Sequence, residues 1–396
     1  MDRLAIWGGK PIRNTYLSYG KQAIDDSDIQ AVIKVLKGDY LTTGPYVKEF
    51  EEKIAQYVGS KYAVAVSSGT AALHMACFAA NIKEGDEVIV SPITFAASAN
   101  AVLYCGGIPV FADVDPLTYN IDPNIIEDKI TNKTKAIIPV DFTGQSVDMD
   151  NIKEIAEKHG LLIIEDAAHA LGSEYKGRKV GSQADMVEFS FHPVKMITTA
   201  EGGVVTTNSE KLYDKMKIFR THGITRDKEM LNENHGPWYY EQQFLGYNYR
   251  LTDLQSALGS SQMNKIGYFI KKRREIVKTY NYAFKDIKEI VTPYEADFSN
   301  SGWHLYVIKL KPDLMTCTRK EIFEALRAEN IGVNVHYIPV YWHPHYKKLG
   351  YKKGICPKAE ELYENIITLP LFPAMTDDDV NDVINGVHKV LNHYRK

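Results

Sequence analysis

Between residues 60 and 207 the chain repeats one unit: a short run of β-branched and apolar residues, a turn with Gly or Pro, then a stretch with helical periodicity. The apolar runs are Tyr62 to Val66, Glu87 to Val90, Pro109 to Ala112, Ala136 to Val140, Leu161 to Ile164, Met186 to Phe189 and Gly203 to Thr206. Met149 to Lys158 is one of the helical stretches between them. The runs are continuously apolar rather than alternating, as strands covered on both faces are, and parallel strands need crossover helices that provide such cover. The pattern predicts a large α/β unit around a mostly parallel, seven-stranded sheet.

The pattern changes after Thr252. This residue, followed by Asp253, is placed to cap a helix, and helical spacing then persists to about Phe284. Gly259 and Gly267 interrupt it, so two helices fit as well as one. Beyond lie a strand over Trp303 to Leu310, a helix over Arg319 to Ala328, a strand over Val333 to Tyr337, and a closing helix over Asp377 to Tyr394 with an acidic first turn. The expected organisation is a large domain over residues 1–254, N-terminal segment included, and a smaller C-terminal α/β domain over 255–396 joined by the long helical region.

Composition narrows the class. The chain has 396 residues, 44% hydrophobic and 24% charged, which is ordinary globular composition and unlike disorder. Its 47 basic and 50 acidic residues leave a formal charge of −3, so nucleic acid and anionic membrane surfaces are not expected partners. Cys77, Cys105, Cys317 and Cys356 are scattered, with no CxxC and no zinc spacing, so reduced thiols and no metal are expected. No stretch reaches the roughly 18 uncharged apolar residues of a membrane span, and a soluble, unexported, cytoplasmic protein is expected.

Chemistry-bearing residues cluster where the apolar runs end. Ser67-Ser68-Gly69-Thr70-Ala71 opens a helix, where unpaired N–H groups suit a phosphate; a helix cap explains the same residues. Glu165 and Asp166 follow a buried-type strand, at the edge where open α/β sheets bind ligands; Asp is also a turn residue. Lys195 lies among small and apolar residues just past another strand, where desolvation favours the neutral amine that a carbonyl compound requires. Phe95 can stack on a planar ring or sit in the core. Asn248 and Arg250, in Gly246-Tyr247-Asn248-Tyr249-Arg250, suit phosphate or carboxylate, or stabilise a turn. A cradle, an acid, a lysine and an aromatic ring at strand ends of one sheet form the inventory for pyridoxal phosphate.

The segments SSGTAALH (67–74), SPITFAASAN (91–100), EDAAHALGSEYKGRKVG (165–181), FSFHPVKMITTAEGGVVTT (189–207), GYNYRLTDLQSALG (246–259) and VHYIPVY (335–341) resemble, in order and spacing, the DegT/DnrJ/StrS family of sugar aminotransferases over nearly the whole chain. The resemblance implies the aspartate-aminotransferase type fold (fold type I) and pyridoxal 5'-phosphate, in its pyridoxamine form during turnover. It makes Lys195 the lysine that holds the cofactor and Asp166 the carboxylate facing its ring nitrogen. It puts His169 beside the ring hydroxyl, Thr70, Ala71 and Ser190 at the phosphate, and Phe95 on the ring face. It implies that Asn248 reaches the phosphate of a neighbouring subunit, hence a homodimer.

SFHPVKMITTAEGG and HALGSEYKGRKVG are most similar to the pseudaminic acid branch. That branch aminates C4 of a UDP-linked 4-keto-6-deoxy-N-acetylhexosamine with L-glutamate, giving UDP-4-amino-4,6-dideoxy-N-acetyl-β-L-altrosamine. Spore-coat and perosamine-type sugar aminotransferases share much of the pattern and are alternatives. A sugar dehydratase using the same cofactor carries histidine in place of the lysine, and a non-catalytic sensor would keep only the fold. Arg220 and His222, Trp238 in an aromatic loop, Arg250, His336 and Tyr337 are candidate substrate contacts, each of which a structural role also explains.

Overall fold

The structure, a computed structural model, describes residues 3–396. Seven strands form the large sheet: β1 (Tyr62–Val66), β2 (Glu87–Val90), β3 (Ile108–Phe111), β4 (Thr134–Ile138), β5 (Leu162–Asp166), β6 (Met186–Ser190) and β7 (Gly203–Thr207). Their spatial order is β1-β7-β6-β5-β4-β2-β3. β7 pairs antiparallel with both of its neighbours and the other junctions are parallel, so six strands deliver their carboxyl ends to one edge. Two apolar clusters cover the two faces, with Val64, Val88 and Ile164 in one and Ala65, Ile89 and Ile163 in the other. This is the two-sided cover that continuous apolar runs require.

Helices α1 (Asp26–Leu36), α2 (Pro45–Val58), α3 (Gly69–Ala79), α4 (Ala97–Tyr104) and α5 (Met149–His159) surround the sheet. After α6 (Glu210–Phe219), the long periodic region is two helices, α7 (Asp253–Met263) and α8 (Ile266–Phe284). Thr252 caps α7 in a reciprocal box with Gln255, as the Thr-x-x-Gln spacing allows. The break falls at Asn264 and Lys265, not at either glycine. Lys265 there reaches Asp25 Oδ1 at 2.8 Å and the buried Asp28 Oδ2 at 2.5 Å. Gly259 serves close packing instead: a Cβ on it would lie 2.6 Å from the Phe50 ring of α2.

The C-terminal part holds a three-stranded antiparallel sheet, β8 (Ile290–Val291), β9 (Tyr306–Leu310) and β10 (Ile366–Leu369), with α9 (Arg319–Ala328) and α10 (Asp377–Tyr394). The strand expected over Trp303 to Leu310 starts only at Tyr306, since Trp303 takes a φ of 55°. The strand expected over Val333 to Tyr337 does not form. Only Asn334 bridges to Thr368, and the chain then turns toward the sheet edge, with His336 Nδ1 2.9 Å from Thr368 Oγ1. The N-terminal segment, grouped above with the large unit, instead docks on the C-terminal cluster. Leu4 and Leu17 are buried in that cluster, Glu329 accepts from the Ala5 and Ile12 N–H groups, and Arg13 pairs with Asp379 and Asp382.

Candidate active site

At the carboxyl end of β1 the chain turns directly into α3. Ser68 Oγ caps the helix by accepting from Ala71 N–H at 3.1 Å, so the Ala71 amide is used inside the protein. Two glycines let this helix start press on the sheet. A Cβ on Gly203 of β7 would lie 2.5 Å from Ser68 O, and one on Gly69 would lie 2.5 Å from Glu188 Oε1. Thr70 and Ser190, the last residue of β6, face the same cavity beside this helix N-terminus, where N–H groups favour an anion.

Asp166 ends β5 and is buried. Ser98 Oγ donates to its Oδ2 at 2.5 Å and Ala168 N–H to its Oδ1 at 3.2 Å, which fixes the carboxylate as an acceptor with capacity left over. Thr94 Oγ1 lies 2.7 Å from Ser98 Oγ, and Phe95, in the same turn, exposes 63% of its surface at the cavity. Lys195 is half-buried in the turn after β6, where its N–H donates to His192 O at 2.9 Å. Burial pulls its ammonium down to about 8, against the opposing pull of the Asp166 carboxylate.

The opposite wall comes from the C-terminal part. His169 Nε2 lies 3.3 Å from Tyr337 OH, and its ring is 4.4 Å from that of His304. Burial holds His169 and His304 well below the usual histidine range and pulls His336 down to about 3. All three are neutral at pH 7, so none of them competes with Lys195 as a cation. Together these residues enclose a cavity of about 660 Å³.

The cavity therefore joins Thr70, Phe95, Asp166, His169, Ser190, Lys195, His336 and Tyr337 from five separated segments of the chain. Other candidates lie outside its lining. The Arg220 guanidinium is turned inward, pairing with Glu51 and donating to Ala65 O at 2.7 Å. Arg250 bridges to Val66 through its backbone, and Asn248, bridged to Thr221, is exposed. His222 is exposed at a φ of 62°, and Trp238 is 71% exposed. Among the described residues there is no group of metal ligands and no helix long and apolar enough to cross a membrane; all four cysteines are free.

The donor set fits a phosphorylated pyridine aldehyde: an anion cradle at a helix start, an oriented carboxylate, an amine of lowered basicity, an exposed aromatic face, and a His169 Nδ1 with no partner among the described residues. A family model for DegT/DnrJ/EryC1/StrS aminotransferases matches residues 22–388. The chain belongs to that family. It is a pyridoxal phosphate-dependent sugar aminotransferase of the aspartate-aminotransferase type fold, and solved family relatives exist in PLP and PMP forms.

Within the family it is 44% identical over 381 residues to the spore coat polysaccharide biosynthesis protein SpsC of Bacillus subtilis, covering 96% of this chain and 98% of that one. It is 41% identical over 383 residues to the UDP-4-amino-4,6-dideoxy-N-acetyl-beta-L-altrosamine transaminase of Campylobacter jejuni, covering 96% and 99%. The structure of Helicobacter pylori PseC, an aminotransferase of pseudaminic acid biosynthesis, superposes with a TM-score of 0.89 at 36% identity, covering 96% and 100%.

Sequence reasoning missed Tyr19, Ser98, Glu188 and His304, all of which line this aminotransferase's cavity. Two of them carried a signal. Ser98 lies four residues past Thr94 in one turn, and Glu188 lies two before Ser190, on the same face of a strand. Tyr19 and His304 arrive by long-range packing and carried none.

Proposed function

We propose that this enzyme transfers the amino group of L-glutamate to C4 of a UDP-linked 4-keto-6-deoxy-N-acetylhexosamine, giving 2-oxoglutarate and UDP-4-amino-4,6-dideoxy-N-acetyl-β-L-altrosamine for pseudaminic acid biosynthesis. The observation that carries this reading is the end-to-end likeness to the Campylobacter jejuni transaminase, which spans both walls of the cavity. A cytoplasmic reaction suits such substrates.

When bound, pyridoxal phosphate supplies an electron sink for the pair released when a substrate C–H bond breaks. Lys195 would hold the cofactor, and its amine would take a proton from the donor's Cα and deliver one to the sugar's C4. Its lowered basicity and its place on the cavity floor suit both transfers. Asp166, oriented by Ser98 and Ala168, keeps acceptor capacity for the ring nitrogen and favours its protonated state. Thr70, Ser190 and the start of α3 would hold the phosphate. Phe95 would face the ring, and neutral His169 would hydrogen-bond beside the ring hydroxyl. No arginine lines the cavity among the described residues, which leaves its mouth open to a bulky nucleotide sugar. His336 and Tyr337 are placed to touch that sugar.

The working unit is a homodimer in which Asn248 completes the neighbouring site. Its exposure outside its own cavity supports this, as do the exposed apolar side chains of Leu245 and Tyr247 next to it in the chain. His222 lies beside this segment, its backbone N–H donating to Tyr247 O at 2.9 Å.

Mass spectrometry of products from a panel of UDP- and dTDP-linked 4-keto sugars with glutamate tests the substrate. The altrosamine product is expected, and amination of another sugar alone overturns it. The likeness to SpsC favours a second reading, amination of a spore-coat type sugar, which the same panel resolves.

A further inference from the structure

Strand β6 presents two polar side chains to the cavity, Glu188 and Ser190, because residues two apart in a strand share a face. Glu188 is the deeper of the two. It is 0% exposed, and neither carboxyl oxygen has a hydrogen-bond partner among the described residues. A Cβ on Gly69 would lie 2.5 Å from Glu188 Oε1 and 3.1 Å from Ser190 Oγ, so the carboxyl group rests against the first turn of α3, next to the phosphate cradle.

The sheet register sets Glu188 directly beside Asp166, and Ala167 N–H donates to Glu188 O at 2.9 Å. Two carboxyl groups therefore share one face of adjacent parallel strands. The charged groups facing Glu188 are Asp166 from β5 and Lys195 from the turn after β6. β7 opposes it with Val205 and α3 with Gly69, neither of which titrates.

An unpaired carboxylate in a dry site is costly, and two neighbouring acids settle on one proton. Asp166 is locked as the acceptor by Ser98 and Ala168, so the proton goes to its neighbour. Burial first, then the Asp166 charge, push the Glu188 carboxyl well above the usual range.

We propose that Glu188 is a neutral carboxylic acid and a positioning residue, donating its proton in a hydrogen bond to Asp166 as the second member of a one-proton pair on the cavity floor. The inference rests on the role given to Asp166 above. The added donor spreads the Asp166 charge and tempers its hold on the ring proton. It also keeps a second negative charge away from the cradle.

The test compares wild type, Glu188→Gln and Glu188→Leu as holoenzymes, through the pH midpoint of the visible absorbance of lysine-bound cofactor. Infrared difference spectra of apo wild type against apo Glu188→Gln run alongside. The infrared difference should contain the C=O stretch of a protonated acid. The wild-type and Gln midpoints should agree within roughly 0.3 unit, since both side chains are neutral, while the Leu midpoint rises because Asp166 loses a donor. A carboxylate band in the infrared difference, or a Gln midpoint lower by about one unit or more, would mean that a charge was removed, and would overturn the proposal. A Leu midpoint equal to wild type would overturn the hydrogen bond. If all three proteins lack the absorbance, the roles of Lys195 and Asp166 fail, and the infrared difference still decides the state of Glu188.

Discussion

The cavity floor and the segment from Arg220 to Arg250 are both rich in polar and aromatic side chains, yet they are built in opposite ways. On the floor, Asp166 and His169 are buried, and Asp166 is held by hydrogen bonds from the same chain. Along the segment, Trp238 and Leu245 are 71% and 75% exposed, Asn248 projects into solvent, and the Arg220 guanidinium points inward to Glu51. The floor is held by contacts within one chain, and the segment leaves its apolar and amide side chains exposed. The difference teaches that one chain by itself encloses the groups proposed for the chemistry, whereas the role proposed for the segment needs a second copy.

Removing the amine should have the largest effect. In Lys195→Ala the visible absorbance that borohydride bleaches should vanish, and transamination with glutamate should fall by roughly 10³-fold or more, since the base and the covalent tether are lost together. Absorbance and turnover that survive the substitution would break the comparison, because the floor would not then hold the chemistry.

The segment is probed by mixing subunits. Asn248→Ala should weaken cofactor binding by about tenfold, the worth of one charge-assisted hydrogen bond. At cofactor concentrations too low to load Asn248→Ala, co-expression with Lys195→Ala should restore activity, up to roughly a quarter of wild type, because each mixed dimer holds one site with both side chains intact. No recovery would place Asn248 in its own site, and the two regions would then differ only in exposure.

The floor was legible in the sequence because its residues follow continuous apolar runs, so the strand that predicts the sheet also predicts where the side chain emerges. Asp166, Ser190, Lys195 and Phe95 were all found this way, and the order of the motifs supplied their roles by resemblance. The opposite wall was not legible. His304 enters the cavity from just before β9, through packing between segments far apart in the chain, and Val333 to Tyr337, β-branched enough to read as a strand, leaves the sheet after a single bridge. Local periodicity reports burial and not partners, which is also why the helix break fell at Lys265, an ion-pair position, rather than at a glycine.

Arg220 separates structure from binding within the segment. Its guanidinium pairs with Glu51, whose Oε1 also accepts Ala65 N–H at 2.8 Å, tying α2, β1 and the end of α6 together. Arg220→Ala should lower unfolding free energy by about 3 kcal/mol, the cost of stranding the partner of a largely buried ion pair, with KM for the sugar unchanged. A large KM effect with stability intact would return Arg220 to the substrate site.

The smallest effect concerns the far face of β5, where alternation turns Glu165 away from the cavity. Burial pushes Glu165 up to about 7 from an ordinary 4.5, and burial plus the Glu165 charge raise Asp141 as well. A raised carboxyl pKa means that the folded chain binds more protons than the unfolded one between those values, so stability falls as pH rises from about 4.5 to about 7. Glu165→Gln keeps a neutral side chain and should flatten that decline by about 1–3 kcal/mol in denaturant titrations across the window. The cofactor absorbance midpoint should stay where it is, since Asp166 and Lys195 occupy the other face. A midpoint that moves with Glu165→Gln would show that the floor answers to charges behind the sheet, and the cavity would no longer count as electrostatically self-contained.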